Sequence, residues 1–156
     1  MSEIDRQELY RQLVEENSDA LVVSDCNGNI TVWNRAAERM FGFSEAEALG
    51  ASLDLFIPEN LRARHWEGYY QVMESGVTRY ATQMLSAPAL CKDGRRISTE
   101  FSMTIVRDAE GKVAGTAAVM RDVTERWQKE KALRARLAEL EKQGAAPAAD
   151  GSDRSV

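Results

Sequence analysis

A chain of 156 residues with a formal net charge of −5 is long enough for one hydrophobic core and too short for two of ordinary size, so one domain with appendages is expected. The acidic balance excludes a broad electrostatic footprint on nucleic-acid phosphate, which needs clustered Lys and Arg in excess. The longest apolar stretches, such as Val113 to Met120, fall far short of the roughly 20 residues of a membrane span, and MSEIDRQELY lacks the basic flank and apolar segment of a signal peptide, so a cytoplasmic protein is expected.

Residues Asp5 to Glu16 place Leu9, Leu13 and Val14 among charges at helical spacing, which predicts an amphipathic helix whose apolar stripe must be buried somewhere. ALVVSD and NITVWN flank Cys26-Asn27-Gly28, a strong hairpin signal, and the continuously apolar first strand reads as central. NRAAERMFGFSEAEALG follows as short helical turns, with Asn34 and Ser44 as N-caps and Gly42 and Gly50 as stops. IPENLRARHWEGYYQVMESG reads as a longer helix, with Pro58 near its first turn and Gly76 past its end. On a 3.6-residue period Leu61, His65, Tyr69 and Val72 share one face, so His65, the only histidine, points toward the core or a cavity in it.

Three strands are predicted next, roughly Thr82 to Cys91, Arg95 to Val106 and Lys112 to Asp122, joined by turns at Lys92-Asp93-Gly94 and Asp108-Ala109-Glu110-Gly111. The middle one alternates Ile97, Thr99, Phe101, Met103 and Ile105 with wetter residues, so one face is buried. Pro88 cannot donate to a ladder and places its strand at a sheet edge. Gly115, Ala117 and Ala118 leave volume in the last strand for helices or a ligand. A helix to about Gln143 then carries Leu133, Leu137 and Leu140, a short a/d-like seam that wants a partner helix. Cys26 and Cys91 lie beside turns and read as free thiols, and GAAPAADGSDRSV reads as disordered. The expected organisation is a helix over residues 1–18, a domain over 19–124, a helix over 125–143 and a tail over 144–156.

The strand-turn-strand ending in WN, the AAERMFGFS helix with Gly50 after it, the DG turn and the closing RDVT occur in one order. In this the chain resembles the PAS sensor domains over about residues 9 to 126. The resemblance implies an α+β fold: a five-stranded antiparallel sheet in the order 2-1-5-4-3 with helices on one face, plus the two terminal amphipathic helices. It implies sensing or relay and no enzymatic activity. No Ser-His-Asp set, P-loop, GxGxxG or metal cluster argues otherwise.

The branches of the family differ in what they hold. The flavin-binding LOV branch needs a reactive cysteine near the start of the long helix, where this chain has IPENLRARH, so flavin is not expected. The heme-binding branch, similar to the oxygen-sensor kinases of nitrogen-fixing bacteria, takes its proximal ligand from an RxRH-like motif in that helix. Arg62-Ala63-Arg64-His65 matches it, and the interval to the turn residue Asp93, 93 − 65 = 28 residues, resembles the spacing in that branch. By that resemblance His65 is the candidate ligand to the iron of heme b, since a neutral imidazole on a cavity-facing helix is a common axial ligand. The alternative is that His65 hydrogen-bonds a backbone carbonyl. Tyr69, Val72, Gln83, Leu85, Phe101, Met103 and Ala118 are the further candidate cofactor contacts. Leu85 stands where the oxygen sensors have an arginine for bound gas, and Gln83 replaces that donor only if it faces inward. Met84 or Met103 is a candidate sixth ligand, or ordinary packing. Asp122 and Thr124 match the family's D-x-T junction and are the candidate signal relay. A homodimer through the terminal helices is expected, with output through a downstream histidine kinase or transcription regulator. A ligand-free or small-organic-ligand dimerisation module is the other reading.

Overall fold

The computed structural model describes residues 2–144. The chain begins with helix α1, Arg6–Glu15, started by Asp5, whose carboxylate accepts from the Gln7 amide at 3.0 Å. The predicted apolar stripe of this helix is not buried: α1 has no buried residue, and Leu13 is 55% exposed.

Five strands follow in the antiparallel order predicted, β2-β1-β5-β4-β3. They are β1, Ala20–Asp25, β2, Ile30–Trp33, β3, Leu85–Leu90, β4, Arg96–Arg107, and β5, Val113–Asp122. The apolar β1 lies between β2 and β5. Its turn to β2 is held by the Asp25 carboxylate, which accepts from the amides of Asn27 and Asn29 at 2.9 Å each, with Gly28 at φ 78°. Pro88 sits in β3, an edge strand paired only with β4, where its missing N–H leaves the sheet intact.

β3 starts three residues later than predicted. The Thr78 hydroxyl accepts from the Tyr80 amide at 3.2 Å and starts a 3-10 turn over Arg79–Ala81, a local alternative to extended chain. Gln83 and Met84 therefore precede the strand, and both are exposed, Met84 to 55%.

Helices cover one face of the sheet. Helix α2, Arg35–Phe41, buries Ala36 and Ala37, small enough for close approach to β1, and Phe41. Phe41, Trp33 and Phe56 form the aromatic centre of the core, with ring centroids 4.9–5.9 Å apart. Helix α3, Glu45–Ala48, opens with a Ser44/Glu47 capping box. A 3-10 turn, Leu53–Leu55, leads to the long helix α4, Glu59–Ser75, which stops at Gly76 in the left-handed region. The chain divides into two compact units between Val123 and Thr124. The second contains helix α5, Thr124–Gly144, with Leu133, Leu137 and Leu140 exposed and i,i+3 or i,i+4 ion pairs along its surface. The disordered tail expected at 144–156 lies outside the described residues from 145 onward.

Candidate functional site

The site is built on α4. Arg62 turns back to the chain before the helix, where its guanidinium donates to the carbonyls of Ile57 at 3.0 Å and Asp54 at 3.2 Å. Trp66 is fixed at both ends. Its indole N–H donates to the Asp54 carboxylate at 2.8 Å, and its ring lies over Gly28, where a Cβ would come within 2.1 Å of it. Tyr69 is the buried residue of the helix, and its hydroxyl donates to the Asp25 carbonyl and lies 2.9 Å from the Ser24 hydroxyl.

His65 stands between these anchors. Its ring meets Trp66 edge-on at 4.8 Å and tilts against Tyr69 at 5.7 Å. Burial holds the imidazole below its ordinary pKa of 6.5, with the Asp54 carboxylate opposing part of that shift, so it is neutral near pH 7. Its Nδ1 is buried with no hydrogen-bond partner. No bond to a backbone carbonyl satisfies that atom, and an orphaned buried polar atom costs about 1–3 kcal/mol and calls for an explanation. A neutral imidazole with a nitrogen left without a partner has the donor chemistry that a heme iron would take.

The other candidates divide. Strand registers pair Leu85 with Phe101, Phe101 with Met120, Met103 with Ala118 and Ala118 with Val22. All therefore share the inner sheet face. Leu85, Phe101, Met103 and Ala118 are only half-buried there, whereas Val22, Ile97 and Met120 are fully buried. Val72 is half-buried on α4. Gln83 does not join them: it is exposed and precedes β3, so the inward placement on which its donor role depends is not met. Met84 lines a shallow cleft with Glu100, Ser102, Val119 and Arg121, residues alternating with the inner-face set, so it belongs to the other side of the sheet. Asp122 ends β5 and Thr124 begins α5. Cys26 and Cys91 are free thiols, exposed and buried.

Sequence reasoning missed the partners of Tyr69. Ser24 and Thr116 read as polar interruptions of two apolar strands, and only the register Ser24 to Thr116 brings their hydroxyls to 3.2 Å.

Residues 8–123 match the family model for the PAS fold. The chain is 32% identical over 122 residues to the oxygen sensor protein DosP of Escherichia coli, covering 78% of this chain and 15% of DosP. It is 32% identical over 142 residues to the sensor protein FixL of Bradyrhizobium diazoefficiens, covering 87% of this chain and 26% of FixL. It thus spans 15% and 26% of these relatives' length. Among solved structures it resembles a PAS domain from Colwellia psychrerythraea, with a TM-score of 0.68 and 21% identity over 78% of this chain and 99% of that one. It also resembles an RNA-binding light-oxygen-voltage receptor, with a TM-score of 0.69 and 21% identity over 85% of this chain and 37% of that one. At such identity the structures speak for the fold alone. Strand order, helix layer and family match agree, and the chain belongs to the PAS-fold family of sensory domains in signal transduction.

Proposed function

We propose that this PAS domain holds heme b through His65 and relays the state of that group to a partner protein. The observation that carries the reading is the buried, unpartnered Nδ1 of a neutral imidazole at the end of the Arg62-Ala63-Arg64-His65 segment. When bound, heme supplies an iron centre that takes up a small gas or changes valence, chemistry that no side chain of this domain offers. One relative is named an oxygen sensor, a task that such a centre would serve.

The chain's own residues set the surroundings. The half-buried patch of Leu85, Phe101, Met103 and Ala118 is apolar, suited to a flat macrocycle that excludes water. Leu85 cannot donate a hydrogen bond to a bound gas. Met103 faces the inner side, which favours it over the exposed Met84 as a second side chain that would hold the iron. Flavin adduct chemistry finds no cysteine on α4. Asp122 and Thr124, at the junction of β5 and α5, are the proposed relay, with terminal helices pairing in a homodimer and a histidine kinase or transcription regulator downstream.

A second reading, a dimerisation module that holds no heme, draws on Tyr69, whose ring fills space beside His65 and whose hydroxyl is already satisfied. Absorption spectra of the chain with hemin, oxidised and reduced, beside His65→Ala, separate the two. The expected result is a Soret band in the wild type that is lost or shifted in the variant. A chain that takes up no hemin overturns the heme reading in favour of the second.

A further inference from the structure

We infer that Thr116, Ser24 and Tyr69 form a one-directional chain of hydroxyl hydrogen bonds that couples the helix bearing His65 to strand β5. The direction follows from counting protons. The single Tyr69 hydroxyl proton goes to the Asp25 carbonyl. Ser24, 2.9 Å from the Tyr69 oxygen, must then donate to it, and Thr116, 3.2 Å from the Ser24 oxygen, must donate to Ser24. Tyr69 and Ser24 each donate one bond and accept one, Thr116 donates at the head of the chain, and each bond polarises the next. All three residues are buried. Losing one oxygen therefore leaves its neighbours unpaired with no water to replace it, the condition under which hydrogen bonds matter most.

The three residues belong to three elements, α4, β1 and β5. Tyr69 lies one helical turn after His65 with its ring against the imidazole, so a shift of α4 at His65 moves the hydroxyl as well. The receiving end is built to respond. β1 and β5 approach so closely that a Cβ at Gly115 would lie 1.8 Å from the Ser24 carbonyl oxygen. On either side of the pair the ladders slip: β1 against β2 between Val23 and Ser24, β5's partner β4 between Val106 and Arg107. Bulges are points where a sheet bends. The hydroxyl chain thus reaches β5 where its neighbours hold it least regularly, and β5 runs on to the junction before α5. The helix has a second tether, Arg107 donating to the Gly76 carbonyl at 2.9 Å, but that bond is exposed and open to exchange with water. The inference rests on the His65 reading for the identity of the input only.

Amide hydrogen exchange on the full chain tests it, first without ligand. Tyr69→Phe removes one oxygen and keeps the ring, and is expected to raise exchange of residues 113–120 by about five- to tenfold, the size of one buried hydrogen bond. Thr116→Val is expected to raise exchange of residues 66–74 in return, because coupling between two sites is reciprocal. Ser24→Ala, which leaves the Tyr69 bond to Asp25 intact, should produce both effects. Residues 85–90, in the edge strand, should not change. Effects confined to each variant's own element, or a uniform rise that includes 85–90, overturn the coupling. With hemin added, the wild type should change exchange in 113–120, whereas Ser24→Ala, which lies outside the candidate cofactor contacts, keeps the Soret band and loses that response. An unaltered response in the variant also overturns the inference. A wild type that binds no hemin removes the His65 reading while the ligand-free comparison still decides the coupling.

Discussion

At His65 the requirements of ligand binding and of folding pull apart. The folded chain holds the imidazole below its ordinary pKa of 6.5, mainly by burial. Below pH 6.5 the unfolded chain therefore takes a proton that the folded chain lacks, and stability falls with pH until the folded pKa is passed. Asp19 and Glu47 are held low by Arg121 and Lys92, so their stabilising share is lost only below the ordinary carboxylate values of 3.8 and 4.5. The His65 window therefore opens at a higher pH than theirs. Urea unfolding of the ligand-free chain should show a decline just below pH 6.5 that His65→Leu abolishes. That variant should also be more stable at pH 7 by about 1 kcal/mol, since it removes an unsatisfied buried atom while keeping apolar volume. Equal pH slopes in the two proteins would remove His65 as their source. Gly28 makes the opposite case: its φ of 78° and a Cβ 2.1 Å from the Trp66 ring make Gly28→Ala destabilising by about 2 kcal/mol or more. Combined with Trp66→Leu, the loss should be smaller than the sum, as unfolding midpoints of the cycle will report.

Among the elements, the junction of β2 and α2 turns on one side chain. Asn34 is fully buried, caps α2 by accepting from the Ala37 amide at 3.0 Å, and accepts from the Leu21 amide at 2.9 Å. Its amide nitrogen donates to the carbonyls of Val14 and Asp19 at 2.8 and 3.0 Å, so it ties strand, helix and the chain before β1 together. Asn34→Ala removes a cap and leaves buried backbone groups unpaired, and should cost about 3 kcal/mol in urea unfolding. Asn34→Asp keeps the cap but loses both donors, and should fall between. The cap was legible in the sequence, because Asn before RAAERMF is a local signal; the other three bonds were not, because they depend on which strands pair. The same division holds elsewhere. Pro88 at an edge and His65 on an inward helix face followed from backbone chemistry and periodicity. The Ser24–Thr116–Tyr69 cluster spans 92 residues between Ser24 and Thr116, and no local pattern marks it. The start of β3 was misplaced because Thr78 offers its hydroxyl to the next turn, a competition that a β-rich composition conceals.

For the molecule as a whole, the sheet, the aromatic core and the His65 site all lie within the first compact unit, residues 1–123. No core residue comes from α5, whose Leu133, Leu137 and Leu140 are 68, 57 and 46% exposed. Three exposed leucines at four- and three-residue spacing form the stripe that a pairing helix would cover. From Leu133 to Leu140 the seam covers about one heptad, so the association expected of it is weak and concentration-dependent. Leu137→Glu places a charge in its middle layer, opposite the same charge in a second copy. Sedimentation of the full chain should show a dimer fraction that grows with concentration and disappears in this variant. The unfolding midpoint measured at low concentration should stay unchanged, because Leu137 is exposed and is not one of the buried core residues. A variant that stays dimeric would move the interface to α1, whose Leu9, Tyr10 and Leu13 are likewise exposed, and would leave α5 free to meet a different protein.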